Sequence, residues 1–310
     1  MKVLLVRNDN LGDLICTTPA IEALRKKYPD AQIDIVVNSY NRMAIDNNPF
    51  VDNIWVYTKP KHKKKIGAKL EALISKIKVF WNIKKEKYDV SVVFRSEYSP
   101  SAEQFSNISG AKIKIGVKDK KNRDKFTHHI EFRNNHEVEF CFDCLKPLDV
   151  EYNGEKTRFF IPGDMKKKYK DFKDIVVFHI SARMKNNQMS FEKLKDIFTK
   201  LDKEIYITAE PKDFETAKRL EKETKVIFKK TDFFLDLGAF ISRAKLFVTL
   251  EGGAMHLAPA IGVKTIALFG VSDINRWHPW GYKDLVLQDK SKIAENIDND
   301  LIVKHIKNNL

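Results

Sequence analysis

Short runs of aliphatic and β-branched residues recur along this chain, separated by longer stretches whose apolar residues fall at helical spacing. Such alternation strongly restricts the fold. Parallel strands need long crossovers, and a helix between each pair supplies them, so the pattern predicts α/β units around parallel sheets. The first half predicts strands over 3–6, 33–37, 54–57 and 90–94, with a helix from about Leu14 to Tyr28 and a long one before Val90. The second half restarts with strands over 175–180, 204–208, 226–228, 246–250 and 265–269. Between the halves, residues 153–168 carry Gly154, Pro162 and Gly163 and break the alternation, which places a linker there. We therefore expect two Rossmann-like domains, 1–160 and 161–310, with a ligand cleft at the carboxyl ends of their strands. No short-period repeat is present.

Charge narrows the partners. The 310 residues hold 56 Lys and Arg against 42 Asp and Glu, a net charge of +14 that favours anionic ligands such as phosphates, lipid headgroups or nucleic acid. Nucleic acid is disfavoured, because no RNP, zinc-finger or helix-turn-helix pattern accompanies the charge. No apolar run is long enough to span a bilayer, and the opening MKVLLVRNDNLGD reads as a first strand rather than a signal peptide. Cys16, Cys141 and Cys144 are too few for a disulfide scaffold and fit a reducing compartment. The Cys141–Cys144 spacing suits a redox or metal site. It equally suits core thiols on one face of a helix spelled HEVEFCFDCL. The lysine-dense stretch 59–87 sets Ile66, Leu70, Leu73, Ile74, Ile77 and Trp81 at helical spacing. That helix either packs its apolar stripe on its own domain or offers a basic face to an anionic acceptor or membrane.

Three segments could carry chemistry. Arg7-Asn8-Asp9-Asn10-Leu11-Gly12-Asp13 lies between the first strand and helix, where backbone amides and Gly12 admit a ligand. With one glycine it is not the dinucleotide fingerprint. Asp13 is either a helix cap or a general base. In the second segment, a strand ends at Glu251, Gly252 and Gly253 turn the chain, and Ala254, Met255 and His256 open a helix whose amides would hold a diphosphate. Glu251 is placed to accept sugar or ribose hydroxyls, and His256 is either a phosphate donor or a buried histidine. The third, Gly270 through Gly281, brings Trp277 and Trp280, which either stack on ligand or pack internally.

In this order and spacing, RNDNLGDLICTTPAIEALRKKYPDAQID, the His136 segment, EGGAMHLAPAIGVKTIALFG and RWHPWG resemble family 9 glycosyltransferases, the bacterial lipopolysaccharide heptosyltransferases. The resemblance spans nearly the whole chain. It implies a GT-B fold with two Rossmann-like domains facing each other across a cleft: an N-terminal acceptor domain and a C-terminal nucleotide-sugar domain. It further implies inverting, metal-independent transfer of heptose from a nucleotide donor, ADP-heptose, to an anionic lipid-linked core saccharide. The enzyme would be a cytoplasmic monomer at the inner face of the inner membrane, needing no cofactor. Asp13 matches the proposed general base. Asn10, Gly12, Lys63, Lys64 and Lys65 fall on the acceptor side. Ser181, Arg183 and Lys185, with Glu251 through His256, fall on the donor side. The chain departs from the family in two places: Glu251 stands where Asp is expected, and Met189 and Ser190 replace Trp-Pro in a loop that also lacks the usual lysine. A sugar-nucleotide epimerase or hydrolase on the same plan, or a non-catalytic sugar-nucleotide binder, is the alternative.

Overall fold

The computed structural model describes residues 1–59 and 66–310. The chain divides into two compact units, Met1–Thr157 and Arg158–Leu310, so the division falls inside the expected linker, three residues ahead of the expected boundary. Among the described residues no helix is long and apolar enough to cross a membrane.

The first unit is built on six parallel strands, β1 (Lys2–Val6), β2 (Gln32–Asn38), β3 (Asn53–Tyr57), β4 (Val90–Val93), β5 (Ile113–Val117) and β6 (His128–Ile130), in the order β3-β2-β1-β4-β5-β6. Its helices are α1 (Leu11–Lys27), α2 (Ile66–Glu86), α3 (Pro100–Ile108) and α4 (Glu137–Leu145). Helix α1 starts three residues earlier than expected, and every residue from Leu11 to Leu24 is buried except Asp13. Its apolar and small residues run all round the helix, which therefore lies inside the unit rather than on it. Helix α4 packs against it, and the thiols of Cys16, Cys141 and Cys144, none in a disulfide, are fully buried there. Burial pushes the Cys141 thiol up to about 12, so these are core thiols.

Helix α2 corrects an expectation. Ala72, Val79 and Ile83 form its buried face, whereas Leu70, Leu73, Ile74, Ile77 and Trp81 are exposed. The stripe that could have docked on its own domain faces outward, and Val79 and Ile83 from the opposite face join the core of the unit. Lys63, Lys64 and Lys65 lie outside the described residues.

The second unit has helices α5 (Gly163–Lys167), α6 (Phe191–Leu201), α7 (Phe214–Glu223), α8 (Phe234–Ile241), α9 (Gly253–Ala260), α10 (Ile274–Trp277) and α11 (Asn299–Lys307). Its strands are β7 (Ile175–His179), β8 (Ile205–Thr208), β9 (Val226–Phe228), β10 (Ala244–Leu250), β11 (Thr265–Phe269) and β12 (Val286–Gln288), all parallel, in the order β12-β11-β10-β7-β8-β9. Counted within each unit, both sheets therefore have the order 3-2-1-4-5-6. That order reverses at β1/β4 and at β7/β10, and the loops beyond the carboxyl ends of these strand pairs are where an open α/β sheet leaves a crevice. Both donor- and acceptor-side segments sit at these two points.

Candidate active site

At the first reversal point, Arg7 follows directly on β1 and is buried. Its Nη2 contacts Glu137 at 2.6 Å and Asp13 at 3.0 Å, its Nε lies 3.0 Å from Asp9, and its Nη1 donates to the Phe94 carbonyl. The Nε–Asp9 contact is an ion pair without hydrogen-bond alignment. Burial opposes the charge on Arg7, but Asp9, Glu137 and Asp13 outweigh it and hold its pKa well above the ordinary value. Asp9 also meets Arg95 at 3.3 Å; burial nonetheless raises its carboxyl to about 7. Glu137 reaches the cluster because α4 begins there. The His136 Nδ1 accepts from the Val138 amide at 3.1 Å, and the Glu139 carboxylate accepts from the His136 amide at 3.0 Å, a reciprocal cap that fixes this helix start.

The loop carrying the cluster is clamped from β2. Asn38 Nδ2 donates to the carbonyls of Asn8 and Asp9, and Asn41 Nδ2 donates to that of Arg7. Asn10 stands at the N-cap of α1 but makes no side-chain cap bond. Asp13 is the third residue of the helix, so it is not the cap. One of its oxygens, Oδ1, is held by Arg7; the side chain stays 14% exposed, and Oδ2 makes no hydrogen bond among the described residues. A carboxylate oriented through one oxygen and open at the other is suited to accept a proton.

At the second reversal point, Glu251 ends β10. Its Oε2 accepts from the amides of Gly270 at 3.1 Å and Ser272 at 3.2 Å, and its Oε1 accepts from the Ser272 hydroxyl. Asn187 Oδ1 accepts from the Val271 amide at 2.9 Å, and Gln288 Nε2 donates to the carbonyls of Gly270 and Ser272. Three side chains from three separate segments thus pin one loop. Gly270 is required there: a Cβ would overlap the Asn186 carbonyl oxygen and Asn187 Oδ1. Beside it, Arg183 and Lys185 are exposed and neither forms an ion pair among the described residues. Gly252 and Gly253 open α9 without a side-chain cap, leaving an amide-rich helix end facing solvent.

Residues 77–305 match the model of glycosyltransferase family 9 (heptosyltransferase). The chain belongs to this family. It is 26% identical to lipopolysaccharide heptosyltransferase 3 of Escherichia coli over 291 residues, covering 87% of this chain and 83% of that protein. Among solved structures, it is similar to a family 9 glycosyl transferase from Veillonella parvula, with a TM-score of 0.85, 20% identity and coverage of 99% and 96% of the two chains. It is also similar to E. coli heptosyltransferase WaaC with ADP-2-deoxy-2-fluoro heptose, with a TM-score of 0.81, 18% identity and full coverage of both chains. These likenesses show the fold, two parallel-sheet α/β domains of the GT-B type, and the family makes the chain a glycosyltransferase.

Within this family 9 glycosyltransferase, several expected donor contacts are occupied by the protein itself. Ser181 Oγ donates to Asp213 at 2.5 Å and accepts from the Glu210 amide at 2.8 Å, so it ties β7 to the loop after β8. The Glu251 carboxylate is turned to the Gly270–Ser272 loop after β11 instead of outward. Met255 is core, packed with Ala267 and Phe269, and Ala254 is buried. His256 is buried with its ring edge-on to Trp277 at 6.2 Å, and Trp280 stacks on His278 at 6.1 Å. Arg183, Lys185, Gly252 and Gly253 remain accessible. Sequence reasoning missed Glu137, Asn38, Asn41, Asn187 and Gln288. The one available signal was polar residues at strand or helix ends, as in Asn38 after QIDIVV.

Proposed function

We propose that this family 9 enzyme transfers heptose from ADP-heptose, with inversion and without a metal ion, to an anionic lipid-linked core saccharide of lipopolysaccharide. The family match over residues 77–305 carries this reading. The lipopolysaccharide substrate of the E. coli relative and the ADP-heptose analogue in the WaaC structure support its acceptor and donor. The donor diphosphate binds at the amide-rich start of α9, with Arg183 and Lys185 neutralising charge on the departing ADP. In this scheme no divalent ion is required. Asp13 Oδ2 takes the proton of the acceptor hydroxyl, whose oxygen attacks the anomeric carbon opposite the leaving ADP. Arg7 holds Asp13 in place throughout. Asn10 and Gly12 border the acceptor, and Lys63, Lys64 and Lys65 meet its phosphates. The enzyme acts as a monomer at the cytoplasmic face of the inner membrane.

The test is donor binding. In EDTA, ADP-heptose raises the melting temperature of the purified protein more than UDP- or GDP-sugars do. Stabilisation that appears only after Mg²⁺ or Mn²⁺ is added contradicts the metal-free scheme, and stabilisation by another nucleotide sugar alone contradicts the donor.

A further inference from the structure

Among the described residues, nothing covers the outward face of α2. Leu70, Leu73, Ile74, Ile77 and Trp81 are each between 46% and 59% exposed. At about 100° per residue they share an arc of about 100°, opposite Ala72, Val79 and Ile83, which anchor the helix to the first unit. A packed helix usually presents polar residues on the side away from the core; this one presents a second apolar stripe. Lysines edge it. Lys78, Lys84 and Lys85 are exposed, and the Lys85 ammonium sits 3.0 Å from the centroid of the Trp81 ring. At the helix end a surface concavity is lined by Lys84, Lys87 and Lys112, with Asp89 the one carboxylate, already bonded to the Lys2 amide.

We infer that α2 is an interfacial membrane helix, seating Leu70, Leu73, Ile74, Ile77 and Trp81 among the acyl chains of an anionic bilayer while Lys78, Lys84 and Lys85 contact its headgroups. The geometry is that of a helix lying in the plane of the surface: apolar outward, cationic along the rim, amphipathic indole between. Charge selects the bilayer over a second copy of the chain. In a two-fold dimer through this stripe, the lysines of both copies would line the same seam and repel. An anionic surface instead favours each lysine about fivefold in partitioning. The inference rests on the proposed lipid-linked acceptor only for its purpose, to hold the enzyme where that acceptor lies.

Vesicle binding without donor or acceptor tests the surface by itself. The protein should sediment with phosphatidylglycerol/phosphatidylethanolamine vesicles and at least tenfold less with phosphatidylcholine vesicles. In a protein whose Trp55, Trp277 and Trp280 are replaced by Phe, Trp81 emission should shift to the blue on binding and be quenched by brominated acyl chains. Ile74→Gln with Ile77→Gln, and separately Lys78→Gln with Lys85→Gln, should each weaken vesicle binding at least tenfold and leave transfer to a water-soluble acceptor unchanged. Binding with unshifted, unquenched Trp81 overturns insertion, as does binding lost only in the lysine variant. A concentration-dependent dimer in ultracentrifugation that the Ile74→Gln/Ile77→Gln variant abolishes assigns the stripe to a second copy and also overturns it. Transfer to a soluble acceptor reads the reaction separately, so failure of either idea is visible without the other.

Discussion

Replacing Arg7 with Met should be among the most damaging single changes in the first unit. The side chain is 1% exposed and contacts three carboxylates, one of which, Glu137, is as deeply buried. Methionine fills much of the volume but leaves Glu137 and the mostly buried Asp9 without their main cation. Breaking a buried pair from one side costs about 3–5 kcal/mol, and the lost bond to the Phe94 carbonyl adds about 1 kcal/mol. Against a total stability of roughly 5–15 kcal/mol, that is a large share. Urea unfolding of the first unit can be followed through Trp55 and Trp81 in a background where Trp277 and Trp280 are Phe. The pH dependence has a definite sign. The Asp9 carboxyl stands at about 7 with Arg7 opposing the rise, so removing Arg7 moves it further up. A folded-state carboxyl above its unfolded value binds protons preferentially, so its penalty is relieved as pH falls. The loss in the variant should therefore be greatest above pH 8 and narrow toward pH 5. Adding Glu137→Gln should restore about 1 kcal/mol or more. A loss below 1 kcal/mol at pH 8, or one that widens on acidification, refutes the charge-hub reasoning.

Asp13→Asn should lower transfer on the order of 10²–10⁴-fold while leaving donor affinity unchanged; steady-state rates and donor titration decide, and full activity would remove Asp13 from the chemistry. Gly270→Ala must displace the turn over 185–187, so donor affinity should fall about tenfold with about 1–3 kcal/mol of stability; unchanged donor binding would show that this loop does not shape the site. Burial holds His179 near 4, below its usual 6.5, so its contribution is complete above 6.5 and is lost as pH falls through 4. From those values about 2 kcal/mol should be missing at pH 5 relative to pH 7.5, and His179→Gln should flatten the profile; an unaltered profile assigns the acid sensitivity elsewhere.

The strands with continuous apolar runs, such as KVLLV and QIDIVVN, were legible because a parallel strand is buried on both faces. β5, β6 and β12 were not. IKIGV carries a lysine and a glycine, HHI is largely exposed, and VLQ spans three residues at a sheet edge. Periodicity found both the existence and the stripe of α2 but not its direction, since an apolar pattern does not state what covers it. Asp13 was visible through its position beside the first strand. The network that fixes its partner Arg7 was not, because Arg7 and Glu137 are 130 residues apart and meet only through the packing of α4 on α1. Glu251 illustrates the same limit: a carboxylate at a strand end announces a polar site, and only the fold shows that it braces Gly270–Ser272.

The most direct test of the account is the transfer reaction itself, run in EDTA with ADP-heptose and a truncated core acceptor, with the product analysed by mass spectrometry and NMR. The account predicts ADP release only when acceptor is present, addition of one heptosyl residue, and an anomeric configuration opposite to that of the donor. ADP release without acceptor, a retained configuration, or transfer that begins only when a divalent ion is restored would contradict it.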